Sequence, residues 1–192
     1  MKKLFLATGN KKKIKEISEI LKGYEILSIN DGYTIPDVIE DKDTFEGNSQ
    51  KKALEIAKVI GMPVIADDSG LCVESLNGAP GIYSARYSGE NATDVTNNTK
   101  LIQELKGKKN KAAKFVCVIT LAKPDGDYHS FRGEIEGTIV EVPKGKNGFG
   151  YDPHFFIEEY EKTLAEIPEI KKEISHRAKA LKKLQIEIDK YL

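Results

Sequence analysis

The most chemically pointed stretch of the sequence is Asp67-Asp68-Ser69-Gly70. It follows Val64-Ile65-Ala66, which reads as a short buried strand, and ligands of open α/β sheets gather beyond the carboxyl ends of strands. Neighbouring residues of an extended chain point to opposite faces, so one aspartate is expected to face a ligand and the other to face structure. Carboxylate oxygens acting with phosphate oxygens are the usual surroundings of Mg²⁺, which often takes only one or two protein carboxylates. The competing reading is an Asx-type turn completed by Gly70. The acidic loop Asp37, Glu40, Asp41 and Asp43 supplies a second candidate metal ligand, although a solvated surface loop accounts for the same residues.

Thr8-Gly9-Asn10-Lys11-Lys12-Lys13 is the second candidate. Gly9 lets backbone approach a ligand closely, and a helix beginning here would offer free N–H groups to an anion. Lys13 falls in the first turn, where a cation opposes the helix dipole unless an anion sits there. That conflict points to phosphate; the alternative is a solvated lysine run. Lys52 could serve as a further phosphate cation or be an ordinary surface lysine. No GxxxxGK[ST] P-loop occurs.

Asn147-Gly148-Phe149-Gly150-Tyr151-Asp152-Pro153 sets two aromatics in a glycine-rich loop beside a carboxylate. Phe149 and Tyr151, if exposed, make a surface on which a flat base could stack, and Asp152 could accept a base N–H. If they fold inward, the segment is a tight turn over core aromatics. Lys171 and Ser175-His176-Arg177 form a donor-rich corner at the opening of the last helix. The three histidines, His129, His154 and His176, are scattered without HExxH spacing, which argues against zinc. No Ser-His-Asp or Cys-His constellation competes, so no covalent intermediate is expected.

These residues need elements to hold them. Leu4–Ala7 reads as a strand, Lys12–Lys22 as a helix with Ile14, Ile17, Ile20 and Leu21 on one face and Gly23 as its stop, and Glu25–Ile29 as a second strand. This strand–helix–strand opening is the signature of an α/β sheet. Residues 30–43 read as a loop, and Thr44 as the N-cap of a helix reaching about Ile60, ended by Gly61 and Pro63. A loop at Asn77–Gly81 precedes an amphipathic helix over 93–105, opened by Thr93 or Asp94. Phe115–Leu121 is a strand, a hairpin turn falls at Asp125-Gly126, and Tyr128–Val142 holds one or two more strands. The last helix, about Glu173–Tyr191, carries Ile174, Ala178, Leu181, Leu184 and Ile188 on one face. No repeat, low-complexity tract or linker interrupts the chain, so 1–192 is expected to be one α/β domain with a mixed sheet.

Composition narrows the classes. A chain of 192 residues can bury a real core, and thirty basic residues balance thirty acidic ones, so no global field points to nucleic acid or a membrane. An anionic substrate must then be held by a local cluster of cations. Cys72 and Cys117 lie in apolar runs, form no CxxC pair and read as reduced core residues, which suits the cytoplasm. The apolar run at Leu4–Ala7 is too short for a signal peptide, and nothing approaches the ~20 apolar residues of a membrane span.

Taken together and in order, these pieces resemble the Ham1 family of house-cleaning nucleotide pyrophosphatases, also called inosine triphosphate pyrophosphatases. The resemblance rests on Thr8-Gly9-Asn10-x-x-Lys13; Thr44-Phe45 with Asn48 and Lys52-Ala53; Ala66-Asp67-Asp68-Ser69-Gly70-Leu71; Gly78 to Tyr87; Ala92-Thr93-Asp94 with Asn97-Asn98; Gly148 to Pro153; and Ser175-His176-Arg177. Seven motifs in register leave little room for chance. Asp41-Lys42-Asp43 and Gly47-Asn48-Ser49 depart from the family's usual local sequences.

The resemblance implies a Mg²⁺-dependent hydrolase that converts ITP, dITP and XTP to the monophosphate and pyrophosphate. It implies triphosphate contacts from Thr8, Gly9, Asn10, Lys11, Lys12 and Lys13 with help from Lys52. Asp68 becomes both metal ligand and general base, with Glu40 as the second metal carboxylate and Ser69 as a substrate contact. Phe149, Gly150, Tyr151 and Asp152, with Lys171, His176 and Arg177, correspond to the nucleoside pocket. It also implies a homodimer with an elongated mixed α/β fold, the substrate lying between two lobes. Arg177 can only donate, so it is expected to meet the 6-keto group of inosine and to reject the 6-amino group of adenosine. Two rivals remain: a pyrophosphatase for other modified nucleotides, and a nucleotide-binding sensor without turnover.

Overall fold

The computed structural model describes residues 2–192 and divides them into two compact units. The first comprises residues up to Asp68, Cys117–Gly133 and Arg177–Leu192; the second comprises Ser69–Val116 and Glu134–His176. Three long strands, β3 (Val64–Val73), β4 (Ala112–Ala122) and β5 (Tyr128–Ile139), contribute residues to both. The sheet is seven-stranded and mixed, with helices flanking it, as the sequence implies.

In the first unit, β1 (Lys3–Leu6) runs parallel to both β2 (Glu25–Ser28) and β3, with Leu4 opposite Ile26 and Phe5 opposite Val64. Helix α1 (Lys11–Ile20) connects the first two strands. Its N-cap is Asn10, whose side-chain oxygen accepts the N–H groups of Lys12 and Lys13 at 3.0 and 3.3 Å. Helix α2 (Phe45–Ile60) starts at Thr44, whose hydroxyl accepts the Gly47 N–H at 3.0 Å, and stops at Gly61 in the left-handed conformation. Two apolar clusters fill this unit. One joins Leu4, Leu6, Ile17, Leu21 and Ile119 to Leu181, Leu184 and Ile188 of α5 (His176–Tyr191); the other joins Phe5, Ala53, Ile56 and Val64. The α5 residues are those whose helical spacing marked a buried face.

In the second unit, α3 (Asp94–Leu105) is opened by a capping box between Thr93 and Thr96. β6 (Phe155–Ile157) pairs antiparallel with β5 on one side and with β7 (Lys162–Thr163) on the other. Leu71, Leu101, Phe115, Ile139, Phe155 and Leu164 lie in one core, together with Tyr151.

Three expectations need correction. β3 does not end at Ala66 but continues through Asp67 and Asp68 to Val73, because those carboxylates find an environment inside the sheet. Ser175 is extended and separates a short helix, α4 (Pro168–Ile174), from α5, so Ile174 and Lys171 belong to the earlier helix. Cys117 is buried but Cys72 is only half-buried; neither is in a disulfide.

Thr44→Ala removes the cap that starts α2, the helix that carries Asn48 and Lys52. Stability should fall by about 1 kcal/mol with the fold retained. Urea denaturation checks this, and an unchanged midpoint would show that the Gly47 N–H finds another acceptor.

Candidate active site

Consecutive residues of β3 face opposite ways, and the surroundings of Asp67 and Asp68 differ accordingly. Asp67 is buried among donors. Arg177 Nε, from the first turn of α5, lies at 2.9 Å, and Cys117 Sγ, from β4, at 3.0 Å; Lys13 Nζ completes an ion pair. Arg177 is itself buried and donates from a terminal nitrogen to Glu16 of α1 at 2.7 Å. Burial alone would raise the Asp67 carboxyl, but Arg177 and then Lys13 outweigh it and hold it well below the usual carboxylate range. Burial would likewise lower Arg177, but Asp67 above all keeps its pKa raised. The Cys117 thiol is pushed up, first by burial and then by Asp67. Asp67 is therefore a fixed anion in a buried network, the structural member of the pair.

Asp68 is equally buried, yet its Oδ2 has no hydrogen-bond partner. Burial, and then the charge of Glu40, push its carboxyl up to about 6, against a downward pull from Lys52. Lys52 of α2 forms an ion pair with Glu40. Asn48, one turn before Lys52, accepts the Lys42 N–H at 2.9 Å through its carboxamide oxygen, which fixes the orientation of the amide. Its Nδ2 favours the Asp68 anion without completing a hydrogen bond. An orphaned buried carboxylate oxygen with a second carboxylate nearby fits a hard divalent cation. Among the described residues no three His, Cys, Asp or Glu side chains gather at one point. The Asp68–Glu40 pair would therefore leave most coordination positions to water and substrate oxygens.

The Thr8–Lys13 turn is more self-contained than its sequence implies. Thr8 Oγ1 accepts the Asn10 N–H, Asn10 takes the N–H groups of Lys12 and Lys13, and Asn30 donates to the Gly9 carbonyl at 3.4 Å. Those two helical N–H groups are thus capped rather than open. The cation conflict at Lys13 is answered by Asp67, while Lys11 and Lys12 are exposed.

In the second unit, Asp152 is buried and organises the glycine-rich loop. It accepts the Phe149 N–H at 3.0 Å and Lys171 Nζ at 2.7 Å, and the same ammonium stands 4.7 Å from the centre of the half-buried Phe149 ring. Gly148, with φ near +77°, must be glycine on two counts, because a Cβ there would also strike the Asp152 carboxylate. Gly150 accepts from Asn98 and donates to Asp94, both on α3. Tyr151 is not an exposed stacking surface. It is buried in the core with its hydroxyl donating to the Ser84 carbonyl at 2.7 Å, and burial raises its pKa. His176 stacks on Phe115 with ring centres 4.8 Å apart. Ser69 is half-buried and begins this unit. Phe149, Asp152 and Lys171 are thus brought together, as the sequence suggests. The Arg177 guanidinium engages Asp67 through Nε and Glu16 through a terminal nitrogen.

Several contributors escaped the sequence reading. Glu16 and Cys117 matter only through Asp67, and no local pattern marks them. Asn48, Asp94 and Asn98 stood within recognised motifs but carried no assigned role. The four-residue spacing of Asp94 and Asn98, which places both on one face of α3, was the available signal.

The chain belongs to the Ham1 family, whose model matches residues 4–187. A protein of Desulfotalea psychrophila named dITP/XTP pyrophosphatase is 51% identical over 187 residues, covering 96% of this chain and 84% of the relative. One of the same name from Geobacter sulfurreducens is 49% identical, covering 94% of each. The solved structure of the Staphylococcus aureus Ham1 protein superposes with a TM-score of 0.90 at 41% identity, covering 100% of both chains.

The adjacent aspartates should respond oppositely to the same substitution. Asp67→Asn takes one carboxylate partner from buried Arg177, leaving Glu16, and should cost up to roughly 3–5 kcal/mol at neutral pH; a loss under 1 kcal/mol in urea denaturation would contradict the network. The folded Asp68 carboxyl holds its proton to about pH 6, whereas the unfolded one releases it near 3.8. Through that window the folded state binds more protons, so wild-type stability declines as pH rises. In chelator, Asp68→Asn should gain on wild type by roughly 1–3 kcal/mol between about pH 4 and pH 7. A pH-independent difference would show that Asp68 is not held in the unfavourable surroundings described.

Proposed function

We propose that the chain is a Mg²⁺-dependent nucleoside triphosphate pyrophosphohydrolase acting on non-standard purines (ITP, dITP and XTP), releasing the monophosphate and pyrophosphate. The observation that carries this reading is the Asp68 carboxylate. It is buried, its Oδ2 is unpartnered, and burial and the nearby Glu40 push its carboxyl up to about 6, while Asp67 next to it is fully engaged. The names borne by the Desulfotalea and Geobacter relatives support the substrate class. Residues 1–192 then form a single functional domain, read as cytoplasmic and homodimeric on the family resemblance; no described helix is long and apolar enough to cross a membrane.

Mg²⁺, held by Asp68 and Glu40 when bound, supplies the Lewis-acid neutralisation that phosphoryl transfer requires. Asp68 orients a water and takes its proton. The water oxygen bonds to phosphorus as the α–β anhydride bond breaks, and pyrophosphate carries away the electron pair. Lys11, Lys12, Lys13 and Lys52, with the Thr8-Gly9-Asn10 turn, neutralise the triphosphate. Lys13 and Lys52 are turned toward phosphate by competition with Asp67 and Glu40, their counter-ions without substrate. In the second unit, Phe149 offers the base a face, and Asp152, Lys171, His176 and Ser69 supply polar contacts.

Incubation of ITP with Mg²⁺ should yield IMP and pyrophosphate in one step by chromatography; accumulation of IDP with orthophosphate would overturn the proposal, and no turnover would favour a sensor. ITP should exceed ATP in kcat/KM by roughly 10²-fold or more, and a panel favouring modified pyrimidines would redirect the specificity. Asp68→Asn should lower kcat by about 10²–10⁴-fold. Retention of more than half of wild-type kcat would remove Asp68 from the chemistry.

A further inference from the structure

One recognised motif remains without a function. Asp94 and Asn98 lie one turn apart on the same face of α3 and close on the two polar atoms of Gly150. Asp94 Oδ2 accepts the Gly150 N–H at 2.8 Å, and Asn98 Nδ2 donates to the Gly150 carbonyl at 2.9 Å. The glycine, with φ near +62°, is the only residue between Phe149 and Tyr151, so its backbone determines how the Phe149 ring is presented. Tyr151 is anchored in the core through Ser84, and Asp152 grips the Phe149 N–H and Lys171. Gly150 would otherwise be the one pivot in an anchored loop.

The carbonyl of Gly150 also fixes the Asn98 amide, since a flipped amide would set oxygen against oxygen. Its Oδ1 is consequently left buried without a hydrogen-bond partner. A residue chosen for stability alone would not strand an acceptor in this way. Asp94 stands at the first position of α3, where the Thr93–Thr96 capping box already closes the helix end, so its carboxylate is available to the loop.

We propose that Asp94 and Asn98 are positioning residues for nucleoside binding, a clamp that fixes the Gly150 peptide and through it the ring plane of Phe149, without touching the base. This rests on the proposed hydrolysis of ITP. The acceptor is what matters at Asp94, so Asp94→Asn keeps the clamp whereas Asp94→Ala and Asn98→Ala open it.

The test uses the full chain, combining steady-state kinetics on ITP with amide hydrogen exchange of segment 147–152. Both alanine variants should raise KM by about tenfold or more while kcat changes less than about threefold. Exchange in 147–152 should rise in both, and α3 should stay protected. Asp94→Asn should restore KM to within about twofold of wild type. A wild type that turns over ITP with alanine variants of unchanged KM would overturn the clamp alone. So would a fall in kcat at constant KM, or Asp94→Asn behaving as Asp94→Ala. Loss of protection throughout α3 would reduce both residues to structural ones and overturn it as well. If the wild type does not hydrolyse ITP, the underlying functional reading falls, and this proposal with it.

Discussion

Two carboxylates at consecutive positions of a buried strand carry a heavy desolvation cost, and each must be neutralised, protonated or matched to a ligand. The first unit treats the two differently. Asp67 receives Arg177, Lys13 and the Cys117 thiol, which draws α1, β4 and α5 onto β3 through one anion. Asp68 receives no full hydrogen bond at Oδ2, and the nearby Glu40 makes its ionisation harder. Identical side chains one residue apart thus become a fully paired ion and an incompletely partnered one, because strand geometry sends them to different neighbours.

The second unit handles its buried carboxylate by the first of these routes. Asp152 is matched to Lys171 and to the Phe149 N–H, so the ion pair that neutralises it also shapes the glycine-rich loop. A buried pair of this kind is weak evidence of net stabilisation, and what it fixes here is the geometry of the loop. The Lys171 ammonium is shared with the Phe149 face, so charge neutralisation and aromatic placement are one arrangement.

Legibility in the sequence followed the range of the interactions. α2 and α3 were readable because caps and periodicity are local: Thr44, Gly61 and Thr93 mark ends that the backbone honours. The buried face of α5 was readable for the same reason. β3 was cut short because Asp-Asp-Ser-Gly has the composition of a turn. Arg177, 110 residues away, together with Lys13 and Cys117, makes an aspartate acceptable in mid-strand. The glycines around Tyr151 leave open whether it faces out or in, and a long-range acceptor, the Ser84 carbonyl, holds it inside. β6 and β7 are too short for any periodic signal.

Arg177 shows what a motif leaves undetermined about its own side chains. A guanidinium beside a histidine at a helix start invites a role toward ligand, and the base-selection argument followed from its inability to accept a hydrogen bond. Asp67 and Glu16 already engage two of its nitrogens, and a 6-keto oxygen offers only a partial charge. Drawing Arg177 away would leave Asp67 with Lys13 as its remaining cationic counter-charge. The ion pair with Asp67 thus sets the orientation from which any contact of Arg177 with a base must start.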